Sequence, residues 1–190
     1  MTDCQACTPG WHCGGEGLVV PTSLCLQGYF CVGASTNDSQ YQCPVGHYCP
    51  TGSPDKRPCQ AGTYQNEMGR WTCKTCPAGY FCNATYGPVS LYGSYECPQG
   101  HYCPAGTKYA TEFPCPLGTF LNRTKGEQAP DCIPCIGKFV CDTAGLSNPW
   151  RLCSSGYYCR QGVNTTTPRA GVKGDQCPKG RYCPEGKQFN

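Results

Sequence analysis

Apolar positions along this chain follow no helical or strand period. Leu is scattered, only two Ile and two Met occur, and 25 Gly with 18 Pro in 190 residues are too turn-rich for long helices or broad sheets. What recurs is a short unit bounded by cysteine. The spacing C-x5-C occurs eight times: Cys7–Cys13, Cys25–Cys31, Cys43–Cys49, Cys76–Cys82, Cys97–Cys103, Cys135–Cys141, Cys153–Cys159 and Cys177–Cys183. Seven read C-x2-G-x-x-C, and the eighth moves its glycine one place earlier, to Gly137. An aromatic residue usually precedes the closing cysteine, as with Phe30, Tyr48, Phe81, Tyr102, Tyr158 and Tyr182.

Each feature has a physical reason. Pro restricts the turn entry, and Gly permits the positive φ of a tight reversal. The aromatic ring is expected to lie against the neighbouring disulfide as a local apolar plug. Tyr outnumbers Phe 13 to 6, which suits rings half buried with a wet hydroxyl.

A longer period overlies the short one. Cys4-x2-Cys7, Cys73-x2-Cys76 and Cys132-x2-Cys135 each open a block of C-x5-C units. Loops of another kind, C-x2-G-T-aromatic-x-N, precede the second and third blocks, running from Cys59 to Cys73 and from Cys115 to Cys132. The expected organisation is three blocks, 1–58, 59–114 and 115–190, the first truncated at its N-terminus and the array continuing beyond the last. The expected fold is a small disulfide-rich repeat, an elongated stack of short β-ribbons and turns with little or no helix.

Composition sets the compartment. The 21 cysteines make up far more of the chain than an intracellular protein carries, and a chain this short of aliphatic core needs covalent staples. Staples of that kind persist only in an oxidising environment, so the segment is expected to be extracellular. No apolar stretch approaches a membrane span, which argues against membrane insertion by this segment. Met1-Thr2-Asp3-Cys4 is unlike a signal peptide, so the chain is expected to be a mature fragment or part of something longer. Net charge is +3 with Lys and Arg scattered, giving no support to a nucleic-acid partner.

The units Cys59 to Cys82 (C-Q-A-G-T-Y … C-K-T-C-P-A-G-Y-F-C) and Cys115 to Cys141 resemble ephrin-receptor-like cysteine-rich repeats, relatives of EGF-like and tumour-necrosis-factor-receptor repeats. Such repeats occur in receptors, adhesion proteins and matrix or surface-fibre proteins. The extra C-P-x-G-H-Y-C-P units at Cys43 and Cys97 are typical of long tandem arrays in large surface proteins.

The resemblance also implies a wiring. Cys59–Cys73 and Cys115–Cys132 close locally, which leaves Cys4 unpaired in this segment, its partner expected upstream. The four-cysteine groups interlace: Cys76–Cys97 with Cys82–Cys103, Cys135–Cys153 with Cys141–Cys159, and Cys7–Cys25 with Cys13–Cys31. Cys43–Cys49 and Cys177–Cys183 then pair within their own units. A rival ladder (Cys13–Cys25, Cys31–Cys43, Cys49–Cys59, Cys82–Cys97, Cys103–Cys115) leaves Cys183 single instead. A bridge closing about 15 residues contributes roughly 3 kcal/mol in the chain-entropy model, so ten of them would dominate stability.

Candidate chemistry is sparse. His12, His47 and His101 sit inside C-x5-C units where other residues replace them elsewhere, so they read as surface variants rather than zinc ligands. The C-x2-C pairs lack the strand–helix context of a thioredoxin-like site. Asp38, Glu67, Glu112 and Asp175 are isolated, and no Gly-rich phosphate loop opens a helix. No catalytic residue, metal or cofactor is expected, and the chain is read as a non-enzyme. Trp11, Trp71 and Trp150 lie near cysteines, and packing against a disulfide is favoured over ligand anchoring. Four sequons, at Asn37, Asn83, Asn122 and Asn164, are expected to carry N-linked glycan. Two functions fit: a glycosylated spacer or fibre-, coat- or matrix-building filament acting through protein–protein contacts, with copies of itself among its partners, or a ligand-binding ectodomain of a surface receptor.

Overall fold

The computed structural model describes residues 4–169 and 171–187. The outer ends of the first and third expected blocks, 1–3 and 188–190, lie outside the described residues. The chain divides into two compact units, Met1–Cys76 with Cys82–Ser94, and Pro77–Phe81 with Tyr95–Asn190.

Both units are built from one element repeated. A C-x2-G stretch turns so tightly that the residue after the glycine donates its N–H back to the residue after the cysteine. His47 bonds the Pro44 carbonyl at 3.2 Å, and Thr119 bonds that of Pro116 at 3.1 Å. The third corner of such a turn needs positive φ, which Gly46 (76°) and Gly118 (84°) supply without steric penalty. Short antiparallel ribbons follow. In the first unit Trp11–His12 pairs with Ser23–Leu24, Tyr29–Phe30 with Tyr41–Gln42, His47–Tyr48 with Arg57–Pro58, and Thr63–Tyr64 with Lys74–Thr75. In the second, Thr119–Phe120 pairs with Ile133–Pro134, Phe139–Val140 with Arg151–Leu152, and Tyr157–Cys159 with Gly174–Gln176. The one helical turn among the described residues is a 3-10 turn at Ala129–Asp131.

The eighth C-x5-C unit keeps the turn although its glycine is displaced. Lys138, not Gly137, takes the left-handed corner, with φ 84°. The backbone geometry is therefore set by the stack and imposed on whichever residue falls there.

Neighbouring turns are tied by backbone alone. In the first unit the N–H groups of Cys25, Cys43, Cys59 and Cys76 donate to the carbonyls of Gly10, Gly28, Gly46 and Gly62, at 2.9–3.0 Å. In the second unit Cys97, Cys115, Cys135, Cys153 and Cys177 donate to Gly79, Gly100, Gly118, Lys138 and Gly156, at 2.8–2.9 Å. The turn glycine returns a bond one step along, as Gly28 N–H does to Cys49 and Gly156 N–H to Cys183, both at 2.8 Å. The repeat is thus a module that opens at each of these cysteines and at Cys7, every 16 to 24 residues. Loop-type modules obey the same rule. Gln65 and Leu121, six residues after Cys59 and Cys115, take the place of the closing cysteine and accept from Gly46 and Gly100.

Disulfides stay inside modules, which corrects the interlaced wiring. Cys7 bonds Cys13, Cys25 bonds Cys31, Cys76 bonds Cys82, Cys97 bonds Cys103, Cys135 bonds Cys141, and Cys153 bonds Cys159. Cys43–Cys49 and Cys177–Cys183 close in the same way, Cys59 bonds Cys73, and Cys115 bonds Cys132. Cys4 is a free, exposed thiol, and no bond of the rival ladder forms. The physical reason is the turn itself. It brings the two Cα atoms of C-x5-C to 5.8–6.1 Å, the range a disulfide spans without backbone movement. A bridge across a separation of six residues constrains the unfolded chain less than a longer one, about 2 kcal/mol in the same chain-entropy model.

The buried set is small. Most half-cystines are shut from solvent, joined by Val89, Phe120, Leu121, Val140 and Val163. Ser35, Ser53 and Thr107 are buried too, each hydroxyl donating to the carbonyl three residues back at 2.6–2.7 Å. A buried hydroxyl satisfied locally costs little, so these positions accept Ser or Thr where a core would want an aliphatic group.

Candidate functional site

The aromatic positions do more than plug disulfides. Tyr102 does pack on the Cys115–Cys132 bridge with Leu121. Three of these rings, however, meet a second ring from the segment before the next cysteine. Phe30 stacks on Tyr41 (centroids 5.4 Å), Phe81 meets Tyr95 edge-on (5.5 Å), and Tyr102 tilts against Phe113 (5.7 Å). Tyr41, Tyr95 and Phe113 each stand two residues before the next opening cysteine, a signal present in the sequence but not used. Such pairs add about 0.5–1.5 kcal/mol beyond area burial.

The tryptophans depart from the expected packing. Trp11, Trp71 and Trp150 are 38, 52 and 66% exposed. The apolar clusters around the half-cystines are filled by Val140 and Val163 with Tyr157, by Leu121 with Tyr102, and by Phe120 with Phe139. Trp150 instead carries the Arg151 guanidinium over its ring at 4.8 Å. Trp71 lines a groove of about 460 Å³ with Tyr48, Pro50, Gln60, Thr63, Thr72 and Cys73, none of them charged.

Charged side chains form small exposed clusters. Glu67 accepts from Lys74 and Arg70, and these hold its carboxyl below the ordinary value. Glu96 pairs with Lys125 at 2.9 Å and accepts from Thr124. Those two donors, Lys125 first, lower its pKa, while hydrogen bonds to Tyr80 and then Glu96 raise that of Lys125. Asp131 accepts from the backbone N–H of Glu127 at 2.6 Å and of Gln128 at 3.2 Å, with Arg123 at 3.0 Å, and the Glu127 bond chiefly lowers its pKa. Glu112 likewise accepts from the N–H of Lys108 and Tyr109, and Asp175 from that of Gln176. These carboxylates cap loops. Asp38 enters through its backbone, its carbonyl accepting from Leu26 N–H.

The histidines are dispersed. His47 and His101 bond the carbonyls of Val45 and Gln99, and His12 faces Ser23. Among the described residues no three His, Cys, Asp or Glu side chains gather as a metal site would require. The sequon asparagines occupy separate modules: Asn37, Asn122 and Asn164 are exposed, and Asn83 is half buried. Asn37 and Asn83 accept hydrogen bonds from both the N–H and the hydroxyl of Ser39 and Thr85, within their own sequons.

Ten local disulfides, ribbons of two or three residues and a repeated backbone ladder define a cysteine-rich extracellular repeat of EGF-like character. Proteins of that kind are what the chain is similar to. Human "Signal peptide, CUB and EGF-like domain-containing protein 2" is 34% identical over 136 residues, 67% of this chain and 12% of that protein. Rat "Sushi, von Willebrand factor type A, EGF and pentraxin domain-containing protein 1" is 26% identical over 171 residues, 86% of this chain and 4% of that protein. Rice "ABC transporter G family member 25" is 28% identical over 148 residues, covering 71% and 13%. The chain thus spans about an eighth or less of the length of these relatives. No family model matches the chain. The segment is extracellular, and no helix among the described residues is long and apolar enough to cross a membrane.

Proposed function

We propose that the chain is a non-catalytic spacer array, of ephrin-receptor-like type, that separates or joins protein partners on a cell surface or in a matrix, fibre or coat, copies of itself among them. N-linked glycan at Asn37, Asn83, Asn122 and Asn164 and a grouping into blocks 1–58, 59–114 and 115–190 belong to the same reading. The observation that carries it is the ladder between modules. The same backbone bonds recur at each step, so modules add or drop out without new side-chain chemistry. Relatives whose names set EGF-like units beside CUB or Sushi parts, each far longer than this chain, support a segment that serves larger proteins.

Deleting residues 25–42 tests this. The deletion joins Leu24 to Cys43 and lets Cys43 N–H take the Gly10 carbonyl that Cys25 uses at 3.0 Å. The shortened chain should be secreted, folded and carry nine disulfides, and duplicating residues 43–58 in the parent protein should restore its function. Failure to fold, or a function lost for want of one particular module, refutes the spacer reading. The neutral groove at Tyr48 and Trp71 favours the second reading, a ligand-binding ectodomain, which requires Trp71→Ala to abolish partner binding at unchanged stability.

A further inference from the structure

Cationic residues look scattered in the linear sequence but are segregated by module. Residues 133–190 hold eight Lys or Arg against three Asp or Glu, while residues 1–132 hold seven against nine. One of the three acids, Asp142, is engaged by Arg151. The fold then draws distant cations together. Arg160 N–H donates to the Lys173 carbonyl at 2.8 Å, and the adjoining Cys159 N–H donates to that of Lys187 at 3.2 Å. Three chain segments, each bearing an exposed cation, therefore lie side by side on a ribbon held by the Cys153–Cys159 bridge. Arg160, Lys173 and Lys187 make no ion pair among the described residues. The remaining acids nearby are Asp175, whose carboxylate caps the N–H of Gln176, and Glu185.

We propose that Arg160, Lys173 and Lys187 form a basic face that binds sulfated polysaccharide. Arg160 lies over the Tyr158 ring at 5.7 Å, a contact that leaves its charge unneutralised. Cations without a carboxylate partner keep their field, and several contacts along a linear chain add up through released counterions. The compartment selects among polyanions. Nucleic acid is an intracellular partner, and anionic lipid concentrates on the cytoplasmic leaflet, whereas an extracellular module meets sulfate esters. This inference rests on the extracellular placement and not on the spacer reading, so module deletion at residues 25–42 leaves it untouched.

The test compares two triple variants of equal net charge in the natively produced, glycosylated chain. Arg160→Gln/Lys173→Gln/Lys187→Gln removes the face, and Lys56→Gln/Arg57→Gln/Lys108→Gln removes three exposed cations elsewhere. The probes are heparin, desulfated heparin and phosphatidylserine vesicles, read by affinity as a function of salt. The first variant should bind heparin at least about tenfold more weakly, with the slope of log affinity on log salt falling by about 2–3. The second should match the parent, and desulfated heparin should bind poorly to all three. Equal losses in both variants would reduce the effect to net charge and overturn the proposal. So would undiminished binding of desulfated heparin, binding of vesicles in preference to heparin, or no heparin binding by the parent.

Discussion

The glycine at each turn serves two purposes that substitution can separate. Gly100 and Gly156 adopt the same left-handed conformation, φ 79° and 82°. They also make the same ladder bonds, each donating to and accepting from the next module at 2.8 Å. Their surroundings differ. A Cβ on Gly100 would sit 2.1 Å from the Gly145 carbonyl oxygen and 2.7 Å from its carbon, whereas a Cβ on Gly156 would meet nothing within 4 Å. Gly156→Ala should therefore cost only the left-handed penalty of about 1–2 kcal/mol, partly offset by a stiffer unfolded chain. Gly100→Ala carries the same penalty and must also push backbone away from backbone, a further cost of about 1–3 kcal/mol. The assay is guanidinium unfolding of both variants with disulfides intact, followed by fluorescence. If Gly100→Ala falls within about 0.5 kcal/mol of Gly156→Ala, the scale of an inconsequential surface change, close approach between turns does not hold the stack together.

Lys138→Gly should stabilise the protein by up to about 1 kcal/mol, since it relieves a left-handed lysine at φ 84°; a lower melting temperature would contradict this. Peptide mapping of natively produced protein should find glycan at Asn37, Asn83, Asn122 and Asn164, and four bare asparagines would remove the glycosylated part of the proposal. One thiol, Cys4, should react before reduction; strong reductant should then collapse the fold while chelator leaves melting unchanged, and the reverse result would point to metal. The Asp131 pKa is depressed, so its contribution is complete above the ordinary aspartate range and is lost as pH falls through the folded value. The Cys115–Cys132 loop should become protease-sensitive in acid, and Asp131→Asn should flatten that dependence.

The class of fold was legible because it depends on residues that cannot be exchanged freely. Cysteine spacing, turn glycine and the lack of aliphatic periodicity lead directly to stapled ribbons. Wiring was harder because spacing and resemblance pull in different directions. A gap of five residues permits a local bridge, but only the turn geometry, with Cα atoms 5.8–6.1 Å apart, makes it the natural one. The uniformity of the modules was hidden by the two long loops. Gln65 and Leu121 stand where a closing cysteine would, yet their role is carried by backbone carbonyls, and side-chain identity leaves no trace of it. The tryptophans were misplaced because the places beside the half-cystines are taken by Val140, Val163, Leu121, Phe120 and their neighbouring rings. The basic face escaped because charge was read for runs along the chain rather than counted by module.

Local bridges and a backbone ladder together explain how such a segment can vary so widely. If disulfides joined one module to the next, each insertion would have to preserve the pairing of distant sulfur atoms. With every bridge confined to its own module, spacings from 16 to 24 residues are accommodated, because the ladder asks only for an N–H and a carbonyl at fixed corners. Side chains facing outward are then almost free of structural duty, as Val19, Tyr86 and Tyr182, each more than 80% exposed, illustrate. What differs between modules is therefore what they display, such as the uncharged Trp71 groove on one and the exposed Arg160 on another. The shared geometry has a different consequence: it makes any module a sound place to display them.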